Sequence, residues 1–161
     1  MQTISNVPFD EIEIGQTAKY QKTVQDEDVL MFAKLSGDVN PVHLDEDYAK
    51  TTQFGGRIAH GMYTAALMSA AMATKLPGPG SVYLSQTMKF RAPVRIGDTL
   101  TVHMEVTNKR ERNKSVTISV RVTNQDGAKV VTGEASAIIP MEKIVIDAPD
   151  LPLITIGDRQ F

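Results

Sequence analysis

The chain has 161 residues, enough for one domain with its own hydrophobic core. Apolar residues make up 42% and charged residues 22%, as in globular proteins, and the net charge of −2 lacks the basic excess typical of nucleic-acid-binding proteins. Cysteine is absent, which excludes disulfides, thiolate metal sites and a cysteine nucleophile.

The N-terminal segment has no basic region followed by an apolar stretch, so it does not read as a signal peptide. The most apolar segment, residues 61–74, is rich in alanine and shorter than the roughly 20 residues that a membrane-spanning helix needs. We therefore expect a soluble, cytoplasmic protein.

The first half of the chain has helical patterns. Asp26 is a candidate N-cap for a helix that Gly37 ends. Residues 38–41, Asp-Val-Asn-Pro, favour a turn. A short helix is predicted over residues 45–50.

A long helix is predicted over residues 61–75, where apolar residues fall on nearly every face, so it should be buried most of the way round. The Leu-Pro-Gly-Pro-Gly segment at 76–80 ends it.

Strand patterns follow, with an Asp126-Gly127 hairpin turn. They cover residues 82–90, 99–108, 115–123 and 129–139. This order predicts an α+β domain at residues 1–140, with antiparallel strands curling over one long central helix. Residues 141–161 form a C-terminal extension without an assigned role.

Asp38 and His43 lie five residues apart across the predicted turn. A carboxylate beside an imidazole can orient the ring and tune it for proton transfer near neutral pH. The alternative is structural: Asp38 caps its own turn and His43 is an ordinary half-buried ring. Spacing alone favours the structural alternative.

Gly61 stands at the head of the long helix, where an N–H without an intrahelical partner and the helix dipole favour a developing negative charge. This N–H is a candidate oxyanion hole. Alternatively, Gly61 only eases entry into the helix and His60 is a capping or packing residue. Ser69, on the same helix, either hydrogen-bonds His43 or packs as a small residue. The third histidine, His103, lies in a strand and is expected to be structural.

The order of several short motifs is more specific than any one of them. It resembles that of the MaoC-like hydratases, in particular the (R)-specific enoyl-CoA hydratases of the polyhydroxyalkanoate pathway. The resemblance covers roughly residues 9–140. Its motifs are Phe-Ala-Lys-Leu-Ser-Gly-Asp-Val-Asn-Pro-Val-His at 32–43, Ala-His-Gly-Met at 59–62, Leu-Pro-Gly-Pro-Gly at 76–80, Phe-Arg-Ala-Pro-Val at 90–94 and Gly-Asp-Thr at 97–99.

The resemblance implies a hot-dog fold, in which a sheet wraps around a long helix and two subunits join their sheets in a homodimer. It implies hydration of a trans-2-enoyl-CoA to an (R)-3-hydroxyacyl-CoA, a hydro-lyase reaction that needs no metal or other cofactor. Asp38 and His43 would be catalytic, and the Gly61 N–H would form the oxyanion hole. Asn40 and Ser69 would support them by hydrogen bonding. No nucleic-acid or membrane partner is expected.

The acyl chain should run beside the central helix, where Met72 and Ala137 are candidate lining residues, with core packing as the alternative. Scattered basic residues could meet the phosphates of CoA, or could simply be solvated surface: Arg57, Lys89, Arg91 and Arg95.

Two other functions stay open. A hot-dog thioesterase would need a carboxylate aimed at the thioester carbon, usually from the central helix, but residues 61–75 contain neither Asp nor Glu. A non-catalytic acyl-CoA-binding protein on the same fold is the other alternative, because a fold does not fix a function.

Overall fold

The computed structural model describes residues 2–157 and 159–160, in which a five-stranded antiparallel sheet packs against one long helix. The helices are α1 (Asp26–Ser36), α2 (Pro41–Leu44), α3 (Glu46–Lys50) and α4 (Gly61–Thr74). The strands are β1 (Thr3–Ser5), β2 (Thr17–Thr23), β3 (Val82–Phe90), β4 (Thr99–Arg110), β5 (Ser115–Thr123), β6 (Lys129–Ile138), β7 (Val145–Asp147), β8 (Thr155–Ile156) and β9 (Arg159–Gln160). None of the helices in this described part is long and apolar enough to cross a membrane.

The main sheet has the strand order β2-β4-β5-β6-β3, and every neighbouring pair is antiparallel. The predicted strands of the second half are confirmed, as is the turn before β6, where Gly127 has a φ of 78°. The sheet also takes in β2, from the half of the chain predicted to be helical. Only Ala18 and Tyr20 mark the inward face of β2, so its apolar alternation is weak in the sequence.

The core lies between α4 and the sheet, as predicted. Alternate residues of β4 point inward and are fully buried, among them Leu100, Val102 and Val106. One side of α4 covers them, through the buried residues Tyr63, Thr64, Leu67, Met68, Ala71 and Met72. Helix α4 was expected to be buried most of the way round, and in the single chain one strip of it is exposed. This strip consists of Met62, Ala66, Ser69 and Ala73.

The ends of α1 explain how the chain reaches the loop after it. The N-cap is Gln25, not Asp26 as predicted, and the Asp28 carboxylate accepts a hydrogen bond from the Gln25 N–H at 2.9 Å. At the other end Gly37 adopts a left-handed conformation with a φ of 77°, as expected of a helix stop. The turn predicted at residues 38–41 leads directly into α2, a single helical turn that no pattern had indicated.

The C-terminal extension is joined to the N-terminus of the chain. β7 pairs with β1, and the buried Asn6 side chain donates to the Glu142 carbonyl at 3.0 Å and accepts from the Ile144 N–H at 2.7 Å. Further on, β8 and β9 pair as a short hairpin. Residues after Pro140 thus hydrogen-bond to the domain that precedes them.

Candidate active site

The loop between α1 and α2 is held by its own side chains. The Asp38 N–H donates to Ser36 Oγ, the Asn40 N–H donates to Asp38 Oδ1, and the Val42 N–H donates to Asn40 Oδ1, each at 3.2 Å. Asn40 is therefore the N-cap of α2. These bonds fix the path of the backbone from Asp38, which is exposed, to the buried His43 one helical turn later.

His43 is held in one tautomer by the segment that precedes α4. Its Nδ1 lies 2.8 Å from the carbonyl oxygen of Ile58. Because a carbonyl only accepts hydrogen bonds, Nδ1 carries the proton and Nε2 of the neutral ring carries the lone pair. The His43 carbonyl in turn accepts a hydrogen bond from Arg57 Nε at 2.6 Å, and Arg57 forms an ion pair with Asp26 at 2.7 Å. The ring of His43 is thus a positioned proton acceptor.

His60 lies next to both predicted catalytic residues. Its ring stacks on the His43 ring with centroids 3.9 Å apart, and its Nε2 lies 3.0 Å from the Asp38 carbonyl oxygen. Phe32 packs on it with ring centroids 5.0 Å apart. Burial lowers the pKa of His60 below its usual 6.5; the nearby His43 also lowers it, while the hydrogen bond to Asp38 opposes the shift. The ring is therefore neutral at physiological pH.

Side-chain ligand atoms of Asp38, His43 and His60 lie within 4.8 Å of one another. Three such groups could in principle bind a metal ion. However, one ring nitrogen of each histidine already donates to a carbonyl. The two rings are also stacked at an interplanar angle of 30°, so their in-plane lone pairs do not converge well on one ion. The cluster is better suited to moving a proton than to holding a metal.

Gly61 begins α4 immediately after His60, and within the described residues its N–H has no hydrogen-bond acceptor. The first N–H groups of a helix lack intrahelical partners and carry the positive end of the dipole. A Cβ at this position would lie 3.0–3.4 Å from ring carbons of Phe90. Glycine therefore leaves room for the Phe90 ring close to a free N–H donor.

Several other predicted residues lie away from this cluster. Ser69 is on the exposed strip of α4, and no hydrogen bond joins it to His43 within the described chain, so a supporting role for Ser69 stays a prediction. Met72 and Ala137 lie in the main core, 2% and 0% exposed. His103 hydrogen-bonds Thr123 Oγ1 at 3.0 Å inside the sheet, in keeping with a structural role.

The basic residues proposed for CoA binding are partly committed elsewhere. Arg57 donates a hydrogen bond to the His43 carbonyl, as described above, and Arg95 donates to the Phe54 carbonyl at 2.6 Å. Arg91 donates to Thr132 Oγ1 at 3.2 Å from an exposed position, and Lys89 is exposed on β3. Lys89 and Arg91 therefore remain the candidates for contact with phosphate.

A cavity of about 970 Å³ lies beside the site, between α1, α4 and the C-terminal extension. Phe32 lines it and also contacts the ring of His60, so the cavity adjoins the catalytic cluster. Its walls are mostly apolar and include Met31, Phe32, Leu35, Tyr63, Ala66 and Ile154.

The residues that hold His43 in place were not predicted from the sequence. Arg57 and the Ile58 carbonyl hold His43, and both come from the segment before α4, which has no strong pattern of its own. The adjacent His60-Gly61 pair was the signal available, but His60 was assigned only to capping or packing. In the structure it makes no side-chain cap and contacts Asp38 and His43 instead.

The family model described as "MaoC like domain" matches residues 10–128, well over half of the chain. The chain belongs to the MaoC-like family. Among curated relatives of this MaoC-like protein, the (R)-specific enoyl-CoA hydratase of Rhodospirillum rubrum is 48% identical over 132 residues, 82% of this chain and 91% of that protein. The 3-hydroxybutyryl-CoA dehydratase of Methylorubrum extorquens is 44% identical over 135 residues, 84% of this chain and 85% of that protein.

A solved structure extends the similarity to the whole fold. The unliganded R-hydratase PhaJ1 from Pseudomonas aeruginosa matches with a TM-score of 0.93 and 49% identity, covering 97% of this chain and all of that one. The hot-dog fold expected from the motifs is thereby confirmed. Because the match covers 97% of this chain, it extends well past the 10–128 region of the family model into the C-terminal extension.

Proposed function

We propose that this protein is an (R)-specific enoyl-CoA hydratase, a hydro-lyase that adds water to trans-2-enoyl-CoA. The observation that carries the proposal is the Asp38–His43 pair beside the free N–H of Gly61, in a chain whose relatives at 44–48% identity are named as such hydratases or dehydratases. No separate cofactor is required, because the pair supplies the proton transfers and the helix N-terminus supplies the electrostatic stabilisation.

The thioester oxygen accepts a hydrogen bond from the Gly61 N–H, which stabilises the enolate charge that develops as C3 is attacked. A water molecule held between the Asp38 carboxylate and His43 Nε2 attacks C3. Both groups are acceptors at rest, so the pair takes the proton of the water and returns it to C2 on the same face. One O–H bond of the water and the π bond between C2 and C3 break, one C–O bond forms at C3 and one C–H bond forms at C2, and the product is an (R)-3-hydroxyacyl-CoA.

The acyl chain requires apolar space near the reacting carbons. The cavity beside Phe32 offers that space and adjoins the cluster, whereas Met72 and Ala137 are packed within the main core. We therefore place the acyl chain along α1 and α4 in this cavity, with Ile154 of the C-terminal extension on one wall.

A thioesterase is less well supported by the same geometry. Helix α4 carries no carboxylate, and the acidic group of the site, Asp38, lies on the preceding loop beside an imidazole. A non-catalytic acyl-CoA-binding protein would have no need of a positioned proton acceptor such as His43.

We further propose that the protein works as a homodimer in the cytoplasm. The sheet has two edges, and β2 bears Lys19 and Lys22, charges of the kind that discourage edge pairing. The other edge, β3, exposes Val82, Tyr83 and Leu84. Antiparallel pairing of β3 with its copy would cover these residues and bring the exposed strips of the two α4 helices towards one another. A chain without cysteine suits the reducing cytoplasm.

The catalytic assignment is tested by replacing each acid–base residue with an amide side chain, which is polar but cannot take up or release a proton in the reaction. Asp38→Asn and His43→Gln should each lower the rate of crotonyl-CoA hydration by about 10²–10⁴-fold, the usual contribution of general acid–base catalysis. The circular dichroism spectrum and the melting temperature should stay near those of the original protein.

Matched controls are available elsewhere in the chain. Asp47→Asn changes a fully exposed carboxylate, and His103→Gln changes a histidine within the sheet. Both should hydrate crotonyl-CoA at near-normal rates. If Asp38→Asn and His43→Gln behaved like these controls, the assignment would be wrong.

A further inference from the structure

His60 is buried where its side chain contacts both residues of the proposed acid–base pair, the carbonyl of Asp38 and the ring of His43. It is 2% exposed, yet as the N-cap of α4 it makes no side-chain hydrogen bond to the helix that it begins. A buried polar ring at such a position would normally be expected to cap or to pack. Its contacts indicate a different task.

The hydrogen bond of His60 defines its tautomer. Its Nε2 faces the carbonyl oxygen of Asp38 at 3.0 Å, and a carbonyl can only accept, so Nε2 carries the proton. The other ring nitrogen, Nδ1, is buried and has no hydrogen-bond partner in the described chain. A second proton on Nδ1 would be buried without an acceptor, which carries a free-energy cost. The geometry therefore favours the neutral ring.

The ring of His60 also fixes the plane of its neighbour. It contacts the ring of Phe32, with centroids 5.0 Å apart, and the ring of His43, with centroids 3.9 Å apart and the two imidazoles stacked at 30°. His43 is anchored at Nδ1 by the Ile58 carbonyl, which restrains rotation of the ring about the Cβ–Cγ bond. The ring of His60, stacked on its face, restricts the tilt of the His43 ring further and so supports the direction of His43 Nε2.

We propose that His60 is a positioning residue for the hydration reaction: its Nε2–H holds the Asp38 backbone while its ring face holds the His43 ring. One side chain thereby sets the distance between the carboxylate and the imidazole that share the attacking water. This proposal rests on the proposed function. The proposal goes beyond that function because it assigns a positioning role to a residue whose own atoms do not exchange a proton with the substrate.

The neutral state of His60 is part of this role. When His43 takes a proton during the reaction it becomes a cation, and a second imidazolium stacked at 3.9 Å would oppose that charge. A neutral, polarisable ring does not. The charged and titratable groups that face His60 are His43 and Asp38, and burial adds to the preference for the neutral form.

Two substitutions separate the two contacts. His60→Gln keeps an N–H donor at about the position of Nε2 but removes the ring, whereas His60→Phe keeps a ring but removes the donor. His60→Leu removes both. We expect His60→Leu to lower kcat for crotonyl-CoA about 10²-fold, the cost of a misplacement of about 1 Å at a reacting centre, and each single loss to be smaller. KM should change little, because His60 does not touch the substrate.

The order of the variants distinguishes positioning from packing. If His60 only fills space, His60→Phe and His60→Leu should keep normal kcat and differ from the original protein only in melting temperature, a result that would overturn the proposal. His103→Gln is the matched histidine control and should leave kcat unchanged. Partial recovery of kcat in His60→Gln relative to His60→Leu would support the donor role.

A measurement without turnover separates this proposal from the proposed function. In protein labelled with ¹⁵N-histidine, long-range ¹H–¹⁵N spectra at pH 7 should show His60 protonated on Nε2 alone and His43 protonated on Nδ1. His60 protonated on Nδ1, or on both nitrogens, would contradict the positioning role even in an active enzyme. Absence of hydration by the original protein, with these tautomers present, would instead contradict the proposed function.

Discussion

The Asp38–His43 pair could not be assigned from its spacing, because a five-residue separation by itself favours a structural turn. The structure contains that turn: Asp38 Oδ1 accepts the Asn40 N–H, as the structural alternative required. It also brings the carboxylate within 4.8 Å of a ring nitrogen of His43, whose tautomer the Ile58 carbonyl sets. The two interpretations are therefore compatible, since one oxygen of Asp38 holds the loop while the carboxylate keeps further acceptor capacity.

If the Gly61 N–H forms the oxyanion hole, deleting that N–H should lower activity more than adding a side chain at the same position. Gly61→Pro deletes the donor but suits the first position of a helix, and His60, with φ −59° and ψ 138°, has the conformation preferred before proline. We expect kcat for crotonyl-CoA to fall by about 10²–10³-fold, as for loss of one oxyanion donor. Circular dichroism should show that the helix persists.

Gly61→Ala is the control for added bulk, because it keeps the N–H. The atoms nearest to its Cβ are ring carbons of Phe90, the first at 3.0 Å, so a small shift of that ring accommodates it. Gly61→Ala should therefore lose much less activity than Gly61→Pro. Equal losses of activity in the two variants would show that the added bulk, and not the missing N–H, is responsible. That result would contradict the oxyanion assignment.

At the level of secondary-structure elements, prediction succeeded where the sequence carries a long or well-bounded pattern. The limits of α4 were predicted within one residue, since an apolar run stands between His60-Gly61 and a Pro-Gly segment. β5 was predicted at its observed bounds because its apolar residues alternate regularly. β2 was missed because two apolar residues cannot establish a period, and α2 because a single turn containing Pro41 has no helical periodicity.

The residues on α4 also show why lining residues were hard to assign. An apolar residue of a helix that is buried on one side and open on another could face either a pocket or the core, and only the structure distinguishes them. Met72 faces the core and Ala66 faces the cavity, six residues apart on the same helix.

Met72 should accordingly matter for stability and not for chain-length preference. Met72→Ala leaves a void among buried residues and should cost about 2–5 kcal/mol in free energy of unfolding, measured by urea denaturation. Met141→Ala, at a position 47% exposed, should cost far less. Met72→Ala should leave the ratio of activities on crotonyl-CoA and octenoyl-CoA unchanged. A large shift in that ratio would indicate that Met72 lines the acyl site after all.

At the scale of the whole molecule, the two edges of the sheet differ in a way that a single chain does not explain. A long edge strand with exposed apolar residues invites pairing with another strand. In β3 these residues are adjacent along the strand, and α4 presents its exposed strip of small side chains as well. The sequence predicted a helix buried most of the way round, and a second copy that covered this strip would bury the rest of it.

The proposed dimer is tested at the β3 edge. Leu84→Lys places a charge at a position that is 50% exposed in the single chain but would be covered by a partner. We expect the original protein to sediment with twice the mass of the chain and Leu84→Lys to shift towards the monomer. Gln21→Lys, on the opposite edge strand β2, should remain dimeric. A monomeric original protein would contradict the dimer.

The central claim is hydration of an enoyl thioester, and the most direct measurement is turnover of crotonyl-CoA by the purified protein with the products identified. We predict consumption of the enoyl double bond, formation of (R)-3-hydroxybutyryl-CoA on chiral analysis, and no free CoA detected by a thiol reagent. Release of free CoA would indicate a thioesterase, binding without turnover would indicate an acyl-CoA-binding protein, and an (S)-product would contradict the stereochemistry; each of these results would overturn the claim.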